Sequence, residues 1–136
     1  MLNSAVTQGA HHIGLTVPHL AETRAFFVDT LGFDPVGEVP DYPAVFMTDG
    51  TTMITLWQAT DLASAIPFDR RNNVGLHHFA LRVENAGVLE NLYHTLDTTN
   101  GVDIEFPPEP LGGGPARHMM CFIPGGIRME FIAPGG

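Results

Sequence analysis

The chain has 136 residues, 44% of them apolar, and a net charge of −9. That length suits one compact domain or two fused half-domains, and the acidic balance argues against nucleic-acid binding, which needs cations to neutralise phosphates. The 6 cationic side chains are all arginine, so lysine chemistry (a Schiff base, a P-loop) is excluded and Gly112-Gly113-Gly114-Pro115 reads as a flexible loop.

In chain order, the first element predicted is a strand. Ile13, Leu15 and Val17 alternate with His12, Gly14 and Thr16, so one face packs on apolar partners and the other meets something more polar. Pro18 stops it. A helix follows over His19 to Leu31, with Leu20, Phe27 and Leu31 at helical spacing and Gly32 as terminator. Three short strands come next, over Phe33 to Val39, Ala44 to Thr48 and Thr52 to Gln58, with Asp49-Gly50 as a tight turn. Residues 59–74 break the pattern and read as a linker. The order then repeats: a strand over Val74 to Val83, a helix over Ala86 to Thr98, and a short strand over Val102 to Phe106. A proline- and glycine-rich loop spans Pro107 to Pro115. Strands over Arg117 to Ile123 and Ile127 to Ile132 follow, joined by Pro124-Gly125-Gly126.

The repetition is also literal. His11-His12-Ile13-Gly14-Leu15-Thr16-Val17 returns as His77-His78-Phe79-Ala80-Leu81-Arg82-Val83, so the chain reads as a tandem duplication. The expected architecture is a single α+β domain, 1–136, of two βαβββ modules (8–58 and 75–133) forming a curved mixed sheet around a metal cavity. Each helix covers one face of its strands. His12, His78 and Glu130 fall on the alternate positions and point together into that cavity. An ionised carboxylate inside a protein costs several kcal/mol unless compensated; a cation would compensate Glu130, whereas the competing partners are Arg82 or Arg128. His11 and His77 fall on the opposite face and read as structural, reaching a backbone carbonyl. His19 and His94 read as solvated helix residues. Met47, Met53, Trp57, Met120 and Phe122 are candidate cavity wall, some of them plain core, and Cys121 packs in the core.

With these motifs in view, the chain resembles the vicinal oxygen chelate superfamily of glyoxalase I, extradiol dioxygenases, fosfomycin-resistance thiol transferases and bleomycin-binding proteins. The similarity covers residues 8–133. It rests on the His12 phrase with its helix ending Leu31-Gly32-Phe33, on the His78 phrase, and on the closing Phe122-Ile123-Pro124-Gly125-Gly126-Ile127-Arg128-Met129-Glu130-Phe131. The resemblance implies ligands on the first and fourth strands of each half, hence at His12, Thr55, His78 and Glu130. Thr55 is a poor replacement for a carboxylate, which tells against glyoxalase I. The remaining metal set, His12, His78 and Glu130, is a facial triad that suits one divalent ion, Fe(II) first and Mn(II), Ni(II), Co(II) or Zn(II) also. Catalytic roles fall on Glu130 and on His118, which stands two residues before Met120, where extradiol enzymes carry a tyrosine. Thr55, Trp57, Arg82 and Met120 are expected to touch substrate.

The implied function is a metal-dependent enzyme that binds a small substrate through two vicinal oxygens, of extradiol dioxygenase type in the first instance. A glyoxalase I-like lyase or isomerase is the alternative, and a non-catalytic small-molecule (antibiotic) binding protein the contrasting class. Fosfomycin transferases use a lysine that this chain lacks. No apolar run nears the ~20 residues of a membrane span, residues 1–10 lack the features of a secretory signal, and a lone Cys121 suits a reducing compartment. A cytoplasmic protein with no nucleic-acid or membrane partner is therefore expected, and the resemblance implies a homodimer, because small members of the family commonly dimerise.

Overall fold

The computed structural model describes residues 4–135. The first module runs β1 (His12–Val17), α1 (Leu20–Ala25), a π-helical turn (Phe26–Thr30), β2 (Asp34–Val39), β3 (Ala44–Thr48) and β4 (Met53–Gln58). The second runs β5 (Phe79–Arg82), α2 (Ala86–Asp97), β6 (Asp103–Pro110), β7 (Arg117–Phe122) and β8 (Arg128–Ala133). Each module forms its own four-stranded mixed sheet, ordered β1-β4-β3-β2 and β5-β8-β7-β6. This is the α+β architecture of two tandem βαβββ modules. The chain divides into two compact units, 1–62 and 63–136, and each is described by itself.

In the first unit β1 pairs parallel with β4, setting His12 opposite Met53, Gly14 opposite Thr55 and Thr16 opposite Trp57. Paired residues share a face, so these six line one side of the sheet. Leu15, Val17, Val45, Met47, Ile54 and Leu56 lie on the other, all buried with Phe26, Phe27 and Phe33. Met47, a candidate for the cavity wall, is fully buried on this helix-side face; it is plain core. The predicted helix over His19 to Leu31 is α-helical only to Ala25. Beyond it the Leu31 amide donates to the Phe26 carbonyl at 3.2 Å, five residues back. The wider turn seats two consecutive phenylalanines, Phe26 and Phe27, in the core.

In the second unit α2 starts where the Asn85 Oδ1 accepts the Val88 amide at 2.9 Å. It buries Leu89 and Leu96 completely. The sheet register sets Ala80 opposite Glu130 and Arg82 opposite Ile132 across β5 and β8. Across β7 and β8 it sets Met120 opposite Glu130, His118 opposite Ile132 and Phe122 opposite Arg128. Glu130 thus holds in β8 the place that Thr55 holds in β4. Two elements differ from expectation. Strand β5 begins only at Phe79, so residues 74–78 are irregular and His78 immediately precedes the strand. Strand β6 continues through Pro107 and Pro108 to Pro110, with irregular register around Glu105 and before Glu109. It lies at the sheet edge, where prolines forfeit no ladder bond.

Candidate functional site

The side chains predicted to carry chemistry in the second unit converge on Glu130. It is 8% exposed, with only hydrophobic neighbours along β8 (Met129 and Phe131). Its Oε1 stands 3.1 Å from His78 Nε2, and its Oε2 stands 2.7 Å from His118 Nδ1. His118 Nε2 lies 3.7 Å from the half-exposed Glu109 carboxylate, and its ring rests against Phe106 at 5.0 Å between centroids. Met120 is buried beside Glu130 on the same face. Arg82 shares that face but is exposed.

The arginine predicted to compete for Glu130 is held elsewhere. Arg128, 7% exposed, donates from Nε and Nη2 to the two oxygens of Glu105, both at 2.8 Å. Arg70 Nη2 stands 3.9 Å from the same carboxylate and its guanidinium lies 5.8 Å over the Phe122 ring. The side-chain bonds from Arg128 hold the Glu105 carboxyl below its usual range, and the pairing raises the Arg128 pKa in turn. Arg128 Nη1 reaches His77 Nδ1 at 3.4 Å. Partial desolvation first, and then the Arg128 charge, lower the His77 imidazole below its ordinary value.

His77 and His11 were expected to reach backbone carbonyls. Each instead meets the imidazole that follows it: His77 Nδ1 to His78 Nδ1 at 2.8 Å, and His11 Nδ1 to His12 Nδ1 at 3.0 Å. His94 lies on an exposed helix face 3.4 Å from Glu90. Arg117 donates to the Pro108 carbonyl at 3.0 Å. Cys121 packs in the core, and burial pushes its thiol pKa up to about 12.

In the first unit His12 opens β1 with an exposed ring. Thr55 is buried, and its Oγ1 accepts the Trp57 indole N–H at 2.9 Å. Gly14 makes room for this bond, because a Cβ there would stand 3.1 Å from Thr55 Oγ1 and 3.5 Å from Trp57 Nε1. Trp57 is flanked by Tyr42 and Phe46, at 4.6 and 5.8 Å between ring centroids. Thr55 is therefore engaged by an indole, at the position corresponding to Glu130.

The donor types suit a borderline divalent cation. Two donors at about 2.1 Å from one ion and at right angles stand about 3 Å apart, and His78 Nε2 and Glu130 Oε1 meet that spacing at 3.1 Å. Among the described residues no group of three or more His, Cys, Asp or Glu side chains gathers as a metal cage. In the second unit the Glu130 carboxylate lies between His78 Nε2 and the hydrogen-bonded His118, and His12 belongs to the first unit. Three participants escaped the sequence reading: Glu105 and Arg70 as partners in the Arg128 cluster, and Tyr42 against Trp57. A groove of about 500 Å³ between Ile66, Asp69, Arg70, Asn73 and Phe122 borders the same cluster. Only the alternation of charges along β6 could have suggested Glu105.

Residues 9–131 match the family model described as the Glyoxalase/Bleomycin resistance protein/Dioxygenase superfamily. A search of the curated proteins returned no match. Among solved structures, a glyoxylase/bleomycin resistance protein/dioxygenase domain from Frankia sp. EAN1pec is 21% identical, covering 96% of this chain and 93% of that one, with a TM-score of 0.78. Lactoylglutathione lyase from Agrobacterium tumefaciens is 17% identical, with 95% and 96% coverage and a TM-score of 0.71. A mutant of the fosfomycin resistance protein FosX from Listeria monocytogenes, complexed with Mn(II) and 1S,2S-dihydroxypropylphosphonic acid, is 18% identical, with 94% and 93% coverage and a TM-score of 0.74.

Proposed function

Because the chain belongs to the Glyoxalase/Bleomycin resistance protein/Dioxygenase superfamily, we propose that it is a metal-dependent enzyme acting on a small substrate held through two neighbouring oxygens. The observation that carries this reading is the approach of His78 Nε2 to the buried Glu130 carboxylate. In this reading His78 and Glu130 hold one divalent ion with His12 as the third donor. Fe(II) is favoured, and Mn(II), Ni(II), Co(II) or Zn(II) are compatible. The ion supplies Lewis-acid stabilisation of an enolate or catecholate. His118, oriented through Nδ1 on Glu130, holds or moves a proton at Nε2. Arg82, Met120 and Trp57 contact the substrate.

A neutral hydroxyl at Thr55, itself engaged by the Trp57 indole N–H, is a poor replacement for a ligating carboxylate, which favours ring-cleaving dioxygenase chemistry over a glyoxalase I-like lyase. A non-catalytic small-molecule binder is the second reading. It draws on the Tyr42, Trp57 and Phe46 rings, which offer a stacking surface.

Elemental analysis of freshly purified protein and calorimetric titration with Mn(II) test the metal. His12→Ala, His78→Ala and Glu130→Ala are each expected to lose the ion while keeping a native circular dichroism spectrum. Full occupancy in any one removes that residue from the ligand set. Catechol-dependent oxygen uptake supports the dioxygenase, and turnover of a hemithioacetal instead supports the lyase. Tight ligand binding by metal-free protein, unchanged by His78→Ala, supports the binder. Light scattering in solution tests the homodimer included in this proposal.

A further inference from the structure

We propose that the groove between residues 66–73 and Phe122 binds a small organic acid, its carboxylate on Arg70 and its apolar body on Phe122. This goes beyond the metal reading above. Every group it uses lies in the second unit, and none is a proposed ligand to the ion.

The groove is built before any ligand arrives. Residues 66–73 are irregular, and the loop's own bonds hold their shape. Asp69 Oδ1 accepts the Arg71 amide at 3.0 Å. The Asp69 carbonyl accepts the amides of Asn72 and Asn73 at 3.4 and 3.0 Å, and Asn73 Nδ2 donates to the Pro67 carbonyl at 3.0 Å. Phe122, at the end of β7, completes the wall. The volume of about 500 Å³ falls within the range of small-molecule sites. Apolar surface is left for an occupant to cover: Ile66 is 80% exposed, and Phe68 and Phe122 are half-buried.

Arg70 lines the same groove, and its known neighbours leave its donors open. Its Nη2 stands 3.9 Å from Glu105, beyond hydrogen-bond range. Both oxygens of Glu105 already accept from Arg128 at 2.8 Å. The Phe122 ring, 5.8 Å from the guanidinium carbon, attracts the cation through its face and takes no N–H. Glu105 and Phe122 thus fix where the Arg70 charge sits without filling its donor fork. About a quarter of the side chain, 24%, faces solvent.

The charges around the groove agree. The side-chain bonds from Arg128, and then, against partial desolvation, the charges of Arg128, Arg70 and Arg71, hold the Glu105 carboxyl below its usual range. Three guanidiniums therefore gather here, against the two carboxylates of Glu105 and Asp69. One positive charge is left over, in a chain whose net charge is −9. A monoanion balances it, and a carboxylate matches the fork of a guanidinium. The apolar wall beside Arg70 calls for an acid with an apolar body, not an inorganic anion.

Titration of ¹⁵N-labelled protein with cinnamate, followed by proton–nitrogen correlation NMR, tests the site. Saturable shifts are expected at residues 66–73, at Phe122 and at the Arg70 Nε–H. Cinnamamide has the same body without the charge and is expected to bind roughly 10-fold more weakly or worse. Equal binding of acid and amide, or shifts centred on Ala80 and Arg82 instead of the loop, overturns the proposal without any variant. Arg70→Gln keeps much of the reach and removes the charge. It is expected to weaken cinnamate roughly 10- to 100-fold and to leave cinnamamide unchanged. Equal loss of both ligands, or no loss of either, overturns the proposal. His78→Ala is expected to lose the metal ion and keep cinnamate binding, so the two sites are read separately. Loss of cinnamate binding in that variant overturns this site and not the metal reading.

Discussion

Replacing Arg128 by Met removes the cation that organises the Glu105–Arg128–His77 cluster. Two charge-assisted bonds at 2.8 Å are lost, each contributing about 1.5–3 kcal/mol in isolation. The net cost is smaller than their sum, because Glu105 keeps 25% of its side-chain surface in water and rehydrates when its partner leaves. About 2–3 kcal/mol of lost stability is expected for Arg128→Met. Glu105→Leu is expected to cost about 3 kcal/mol, because it strands the more deeply buried partner, Arg128. With both replaced neither charge is left unpaired, so the double variant is expected to fall short of the sum of the single effects by about 2 kcal/mol. Urea unfolding of the four proteins, with equal slopes, measures this coupling. The sign with pH follows from the Glu105 carboxyl, which the side-chain bonds from Arg128 hold below the usual carboxylate range. A depressed folded pKa means that the stabilisation is fully present above the unfolded value and is lost as pH falls through the folded one. The coupling should therefore be constant near neutrality and vanish in acid. A coupling under about 0.5 kcal/mol near neutrality, the scatter of independent sites, refutes the reasoning, as does one that survives protonation of Glu105.

Gly14→Val places a branched side chain where even a Cβ stands 3.1 Å from Thr55 Oγ1. It is expected to break the Trp57–Thr55 bond at a cost of about 1 kcal/mol, seen as a shifted emission of the single tryptophan. Asn85→Ala leaves the Val88 amide uncapped and is expected to cost about 1 kcal/mol, read as a lower Tm. Leu96→Ala opens a cavity under α2, where Leu96 is fully buried, and about 3 kcal/mol is expected in urea unfolding. Cys121, buried and with its pKa pushed up to about 12, should resist a thiol reagent at neutral pH in native protein and react fully in denaturant. Rapid native labelling would contradict its placement in the core.

The sheet faces were legible because alternation is a local rule. Once His12, Gly14 and Thr16 were set against Ile13, Leu15 and Val17, the partition of β1 followed from the pleat alone, and the repeated phrase carried it to Ala80, Arg82 and Glu130. The helix bounds differ from expectation where a backbone irregularity breaks the local period. The helix over His19 to Leu31 widens into a π turn to seat Phe26 and Phe27, and consecutive phenylalanines look the same in either geometry. For Met47 residue type leaves wall and core open, and its register against Ile54 decides for core. Glu105 lies at a register slip between Ile104 and Phe106, and its cross-sheet partner is a tertiary matter that the strand pattern alone does not name. The partner of Arg128 comes from another strand, so from the sequence Arg128 was visible only as a competing partner for Glu130, beside the favoured cation.

The two copies also show how a duplicated phrase separates into different chemistries. Strand pairing places Thr55 against Gly14 and Glu130 against Ala80, so one structural position bears a hydroxyl in the first copy and a carboxylate in the second. In the first copy the hydroxyl accepts an indole, and a neighbouring glycine leaves room for that ring. In the second the carboxylate gathers two imidazoles, and the neighbouring arginine is drawn off by Glu105. If Arg128 were free, it would be the natural counterion for Glu130, two residues along the same face, and the carboxylate would have no need of another cation. The edge strand β6 supplies the acid that engages Arg128. Keeping Arg128 off Glu130 thus depends on a residue at the far edge of the sheet from β5.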